Sequence, residues 1–333
     1  MVLHESIQFI FFLAKAAVLV AAILITIAGI VAIAVKSKAK ESAKIKIKSL
    51  NEYYQELTEQ LQAKIFSKEA IKQLKKKKKD KKKTKDLLHH KPNTFILNFN
   101  GDLRATQVQA LREEITAILM IAKPQDTVLV KVESAGGVVY GYGLAASELK
   151  RIKDRSIPLI VSVDKIAASG GYMMACVADR IIAAPFAVIG SIGVVAQLPN
   201  FHRLLQKHEI DFEQVTAGQY KRTLTLFGKN TEQDRQKVQE EVNEAHHLFK
   251  EFIKQNRPQI DMDQVATGEH WFAARAMQFN LVDELMTSDD YLIKQSETTH
   301  LYEICLQKRK KLWDKLSDKT TSLVKATLDS ALI

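Results

Sequence analysis

Three short segments of this sequence hold residues whose types suit acyl transfer. The first, Glu133-Ser134-Ala135-Gly136-Gly137, ends an apolar run and opens a helical pattern. Its glycines let the backbone turn tightly and bring N–H groups close to a ligand. The start of a helix then favours developing negative charge. The second segment is Asp164-Lys165-Ile166-Ala167-Ala168-Ser169-Gly170-Gly171-Tyr172, where Ser169 sits among residues small enough to admit a substrate backbone. The third is Thr216-Ala217-Gly218-Gln219-Tyr220-Lys221-Arg222. A serine hydroxyl needs a base to lose its proton. Lysine can be that base only where desolvation or a nearby positive charge leaves it a neutral amine. Taken singly, each segment has a plainer reading: a Gly-Gly turn, a small packing serine, an exposed surface lysine. The G-x-S-x-G elbow is not present, since Ala167 holds its first glycine position. Lys165, four residues before Ser169, is a second candidate base.

These segments lie in α/β text. Residues 94–100, 127–134 and 157–164 are short β-rich apolar runs, and helical patterns cover 106–121 and 138–153. Strands alternating with helices at this spacing predict βαβ units and a largely parallel sheet. Apolar pieces at 180–185 and 191–198 are expected to continue the sheet, with a long polar-faced helix over 231–256. A hydropathy scan of 181–198 resembles a membrane span. Pro185, Gly190 and Gly193 cut it into strand lengths, so it is read as sheet.

The amino-terminal region differs. About twenty uncharged residues from Ala16 to Val35 are long enough as a helix to cross a hydrocarbon core. With charged residues and no clear cleavage site after it, the segment reads as an uncleaved anchor. Lysines 36, 38, 40, 44, 46 and 48 would place its carboxy-terminal side in the cytoplasm by the positive-inside rule. Ser49-Leu50-Asn51-Glu52 reads as a capping box, followed by an amphipathic helix suited to pack on the domain or on a neighbouring subunit. The net charge of +11 is local, because the tract at 75–85 holds nine lysines and one aspartate. That tract reads as a solvated tether or an anionic-lipid contact. Aromatic residues are 7% of the chain, and no Arg-rich or aromatic partners surround the tract, so nucleic acid is not an expected partner. The two cysteines, Cys176 and Cys305, have no metal-ligand spacing; neither a metal nor a cofactor is expected, and Cys176 reads as a buried free thiol. Four regions are therefore expected: an anchor (1–36), a helix with a Lys-rich linker (37–92), a catalytic domain (93–290) and a helical tail (291–333).

The segments at 134–137, 164–172, 190–194 and 218–222, in this order and spacing, resemble the signal peptide peptidase A family of serine peptidases. The amino-terminal span, the linker and the run at 167–179 are closest to its SohB branch. The resemblance implies a ClpP/crotonase-like fold of stacked ββα units. It implies Ser169 as nucleophile, Lys221 as general base in preference to Lys165, Ser191 as the hydroxyl orienting the lysine, and Gly137 and Gly170 N–H groups as oxyanion donors. It further implies peptide substrates such as remnant signal peptides or membrane-protein fragments, an inner-membrane location and ring-like homo-oligomers whose subunits complete one another's dyads. Relatives with this domain are often placed outside the cytoplasm, against the charge bias. Ala135 stands where many relatives carry proline, and Ala273 and Asn280 stand where glycines are usual. Asn tolerates the left-handed backbone, so Asn280 is a mild change. Competing readings are a catalytically silent membrane scaffold, an acyl-CoA enzyme of the same broad fold, and a Ser–His–Asp hydrolase using His202, His208 or His270.

Overall fold

The computed structural model describes residues 44–67, 69–71 and 91–307, with scattered helical positions between 15 and 26. The chain divides into two units, one of residues 45–306 and one of 1–44 with 307–333. In the latter, the Thr26 hydroxyl donates to the Ala22 carbonyl at 2.7 Å, as hydroxyls do along a helix. Among the described residues no helix is long and apolar enough to cross a membrane. The expected span at 16–35 falls largely outside the described residues, as do the lysine tract at 75–85 and the chain after 307.

Residues 45–306 form an α/β unit. Its main sheet has the order β1 (Lys44–Ser49), β10 (His300–Gln307), β2 (Asn93–Asn100), β3 (Thr127–Glu133), β4 (Leu159–Val163), β6 (Arg180–Ala183), β9 (Glu284–Leu285). Every pairing from β10 across to β9 is parallel. Leu97, Val130, Val161 and Ile181 stand side by side across four strands, all fully buried. Alternate strand residues face opposite sides. Leu97 and its row join the larger core, while Ile96, Leu129, Ile160 and Ile182 meet Leu50, Tyr291 and Leu292 on the other face. Burial on both faces is why these strands read as predominantly apolar runs.

Ser49 caps α1 (Leu50–Ile65), accepting the Glu52 N–H at 3.3 Å. The expected helices at 106–121 and 138–153 are α2 (Val108–Leu119) and α3 (Val139–Lys153). The expected long helix begins at a capping box in which Thr231 and Asp234 bond reciprocally, and it runs over Glu232–Asn256. Both cysteines are free. Cys176 is the buried one, and burial pushes its thiol up to about 12.

Two expectations change. Residues 191–200 have no regular structure, where a strand was expected at 191–198. The reason is local: Ser191 takes φ 52°, and the Gly193 N–H closes onto the Ser191 carbonyl at 3.0 Å, which turns the chain out of the sheet. Residues 300–307, expected as part of a helical tail, instead form β10 and cover the edge of β2. Asn51 ties the two ends together: its Oδ1 accepts the Leu301 N–H at 2.6 Å, and its Nδ2 donates to the Ser296 and Thr299 carbonyls.

On the other flank of β10, Glu114 of α2 is 5% exposed and accepts the Leu306 N–H at 2.7 Å. Burial holds its carboxyl above the usual range, partly offset by that hydrogen bond. A carboxyl raised in the folded state stabilises the fold at low pH, and the contribution is lost as pH rises through the raised value. Glu114→Gln is therefore expected to raise the melting temperature at pH 8 while changing it little at pH 4, read by thermal denaturation at the two pH values.

Candidate active site

A second, smaller sheet of β5 (Ile166–Ala168), β7 (Val188–Gly190) and β8 (His270–Phe272) brings the sequence segments together. Ala168 pairs with Gly190 in the parallel β5–β7 register, so Ser169 and Ser191 leave adjacent strands side by side. On the other side of β5, Ser134 forms a single parallel bridge with Ala167. Its N–H donates to the Ile166 carbonyl at 2.9 Å, and its carbonyl accepts the Ala168 N–H at 3.0 Å. The topology repeats. Each of β3, β4 and β6 steps from the main sheet to this smaller one, at Ser134, β5 and β7 in turn. A helix follows the first two steps, α3 and then α4 (Gly170–Ala175), and these are the stacked ββα units that were expected. After β7 the open segment 191–200 replaces the helix.

Ser169 occupies the junction of β5 and α4 with φ 52° and ψ −119°. A non-glycine residue with positive φ is strained, and surrounding bonds must hold it. Here its N–H donates to the Gly190 carbonyl at 2.7 Å and its carbonyl accepts the Met173 N–H at 2.9 Å. Ser191 has the same φ, and its N–H donates to the Glu269 carbonyl at 2.6 Å. Gly136 lies against the Ser169 turn with φ +93°, and a Cβ there would stand 2.7 Å from both the Gly170 nitrogen and the Ser169 Cβ. Only a residue without a side chain permits that approach.

A cavity of about 450 Å³ opens over this turn. Ser169, Ser191, Gly137 and Gly170 all line it, with Val138, Met173, Val194 and Phe249 forming apolar wall. Gly170 is the first residue of α4, so its N–H has no partner within the helix. The Gly137 N–H meets no backbone carbonyl among the described residues. A hydroxyl and two available donors thus share one apolar recess, the arrangement that stabilises an oxyanion at a carbonyl under attack.

Among the described residues no lysine lines the cavity. Lys221 is exposed, in a turn where its N–H donates to the Gly218 carbonyl at 3.1 Å, and it is not among the lining residues. It belongs to a largely irregular arm, residues 194–230, whose one helix is α5 (His202–Lys207). The arm exposes apolar side chains, Val215 at 98%. Phe201, Phe212 and Phe227 gather their rings at 5.8–6.0 Å. Lys165 is exposed as well and is held by Glu133 in an ion pair at 2.9 Å, away from the cavity lining. Among the described residues no histidine lines the cavity, and Tyr142 is the one ionisable side chain that does. Asn280 takes the left-handed conformation, φ 59° and ψ 20°, that its glycine-like position requires. Sequence reading missed Tyr142, Met173 and Phe249. All three sit at ordinary apolar helix positions, where periodicity signals burial and nothing more.

The family model of peptidase family S49 matches residues 151–301, and the model of its N-terminal region matches residues 5–149. The probable protease SohB of Buchnera aphidicola subsp. Acyrthosiphon pisum is 55% identical over 242 residues, 73% of this chain and 72% of that protein. The probable protease SohB of Haemophilus influenzae is 54% identical over 222 residues, 67% of this chain and 63% of that protein. For the probable protease SohB of Buchnera aphidicola subsp. Schlechtendalia chinensis the figures are 47% over 287 residues, 82% and 94%. Among solved structures, a mutant of the 1510-N membrane-bound stomatin-specific protease aligns with a TM-score of 0.41 at 13% identity, over 62% of this chain and 86% of that one.

Proposed function

The chain belongs to peptidase family S49, in its SohB branch, and is a peptidase; from that premise we propose a membrane-anchored serine endopeptidase in which Ser169 is the nucleophile and Lys221 the base. The observation that carries this reading is the cavity itself, which gathers a strained serine and two available backbone donors. Ser169 Oγ attacks the scissile carbonyl as its proton passes to the Lys221 amine. The new oxyanion is received by the Gly137 and Gly170 N–H groups. The lysine then returns the proton to the departing amine, leaving an acyl-enzyme. Water, deprotonated by the same amine, attacks that ester, and the lysine passes the proton to the departing Ser169 oxygen as the second product leaves. Ser191, one strand over from the nucleophile, is suited to hold the amine in place. The apolar wall suits apolar substrate side chains, in keeping with signal-peptide remnants or membrane-protein fragments. The uncharged stretch at 16–35 would hold the enzyme at the bacterial inner membrane, beside such substrates.

The arm accounts for the missing base. An apolar, exposed segment is a surface made to be covered, and a second copy of the chain would cover it while receiving Lys221 at its own Ser169. Burial against the neighbour would also supply the desolvation that an amine needs to act as a base. Such an arrangement makes the dyad a property of the assembly. Ser169→Ala and Lys221→Ala proteins, each inactive alone, are then expected to regain peptide cleavage when mixed and allowed to exchange subunits. Mixtures that stay as inactive as their components would remove the shared dyad. Lys165→Ala, outside the site, is expected to cleave within about twofold of the wild type, as surface substitutions generally do.

A further inference from the structure

Tyr142 touches both halves of the oxyanion site. It is fully buried in α3 yet forms part of the cavity wall, and its ring packs edge-on against Phe99 with centroids 6.2 Å apart. On one side its ring fills the space where a Gly170 side chain would go, so a Cβ at Gly170 would overlap it. On the other side its hydroxyl ends an ordered run of hydrogen bonds. The Gly136 N–H donates to Ser134 Oγ at 3.0 Å, Ser134 Oγ is in close hydrogen-bond contact with Tyr142 Oη, and the Tyr142 hydroxyl donates to the Asp102 carbonyl at 2.8 Å. With Tyr142 donating to Asp102, the Ser134 proton turns to the closer Tyr142 Oη, the Gly101 carbonyl at 3.4 Å being its longer alternative acceptor, and a Ser134 lone pair is left for Gly136. Hydrogen bonds in such a series reinforce one another. The Gly136 N–H is thereby committed to the scaffold, which leaves the next N–H, that of Gly137, for the substrate.

We propose that Tyr142 is a positioning residue that fixes the Gly136-Gly137 turn and the start of α4 relative to each other, so that the Gly137 and Gly170 N–H groups converge on a single oxygen. This rests on the peptidase reading above. Two donors on separate elements stabilise an oxyanion only while both stay near 3 Å from it, and one rigid phenol braced between those elements enforces that spacing. The phenol is not a rival base: burial raises the Tyr142 hydroxyl above its usual range, partly offset by the Ser134 bond, and its proton is engaged by Asp102.

The test uses the full-length protein, a fluorogenic peptide and a peptide boronate as a mimic of the tetrahedral adduct. Tyr142→Phe keeps the ring against Gly170 and removes the hydroxyl; Ser134→Ala removes the link to Gly136. Each is expected to lower kcat about tenfold with KM within about twofold, and to weaken boronate inhibition by the same factor, because the lost interaction acts in the transition state. The double variant is expected to be no slower than either single one, since both break the same series. Full kcat in Tyr142→Phe overturns the proposal. So does a loss carried by KM, or a double variant in which the two losses multiply. If Tyr142→Phe loses its fold, the Ser134→Ala result decides. Failure here is separable from failure of the peptidase reading. A dead Ser169→Ala beside a fully active Tyr142→Phe sinks only the positioning role, whereas a fully active Ser169→Ala sinks the reading beneath it.

Discussion

Ser169→Ala and Lys221→Ala are each expected to reduce turnover of a peptide substrate by roughly 10³-fold or more, with the double variant no slower than the single ones. The non-additivity is the informative part. A nucleophile and its base work on one proton, so removing either disables the same step, and a second removal has nothing left to disable. Both variants should fold. Ser169 is half-buried and its replacement keeps a side chain at φ 52°, while Lys221 is exposed and engages its turn through its backbone N–H alone. Turnover of the purified full-length proteins, with melting curves beside it, provides the measurement. Covalent capture of Ser169 by a serine-directed acylating probe should vanish with its hydroxyl, and such capture also separates an enzyme from a silent scaffold. Wild-type cleavage by both variants would end the dyad.

Gly136→Ala is expected to lower kcat by about 10²-fold, the scale seen when one oxyanion donor is lost. Two effects act together. The residue has φ +93°, where an alanine is strained by about 1 kcal/mol or more. The added methyl would also stand 2.7 Å from the Gly170 nitrogen and the Ser169 Cβ, so the turn must retreat from the nucleophile. Retreat carries the Gly137 N–H with it. Because the main core lies elsewhere, the melting temperature should change far less than the rate, and a parallel collapse of both would point to misfolding instead of displacement. Gly143, whose Cβ would meet nothing within 4 Å, gives the matched control: Gly143→Ala should leave turnover as it is.

Much of the fold was legible because its strongest signals are local. Strands β2, β3 and β4 are buried on both faces over most of their length and so appear as short, predominantly apolar runs, interrupted by Asn98, Lys131 and Ser162. The Glu232–Asn256 helix announces its start with Thr231 and Asp234. Where the outcome depends on a distant partner, sequence reading ran out. Residues 300–307 are short and mixed in composition, and their strand is fixed by the β2 edge that they pair with, some two hundred positions earlier in the chain. At 191–198 the apolar composition suggested sheet, but one positive φ at Ser191 redirects the backbone. The motifs holding Ser169, Ser191, Gly137 and Gly170 are short and local, and the smaller sheet explains why these four residues line one cavity. Tyr142 had no motif, since its importance lies in which two elements it spans. Lys221 shows the opposite limit: its motif is visible, but a single chain leaves it in solvent on an irregular arm.

The insertion of β10 between β1 and β2 has a consequence for biosynthesis. A ribosome makes β2, β3 and β4, and with them the whole hydroxyl-and-amide centre, long before it reaches residue 300. Until then the outer edge of β2 has unmet N–H and C=O groups, and the Asn51 clasp lacks Ser296, Thr299 and Leu301. The edge of the sheet is therefore closed only by residues 300–307, the last strand described, so the domain's final packing waits for them to leave the ribosome.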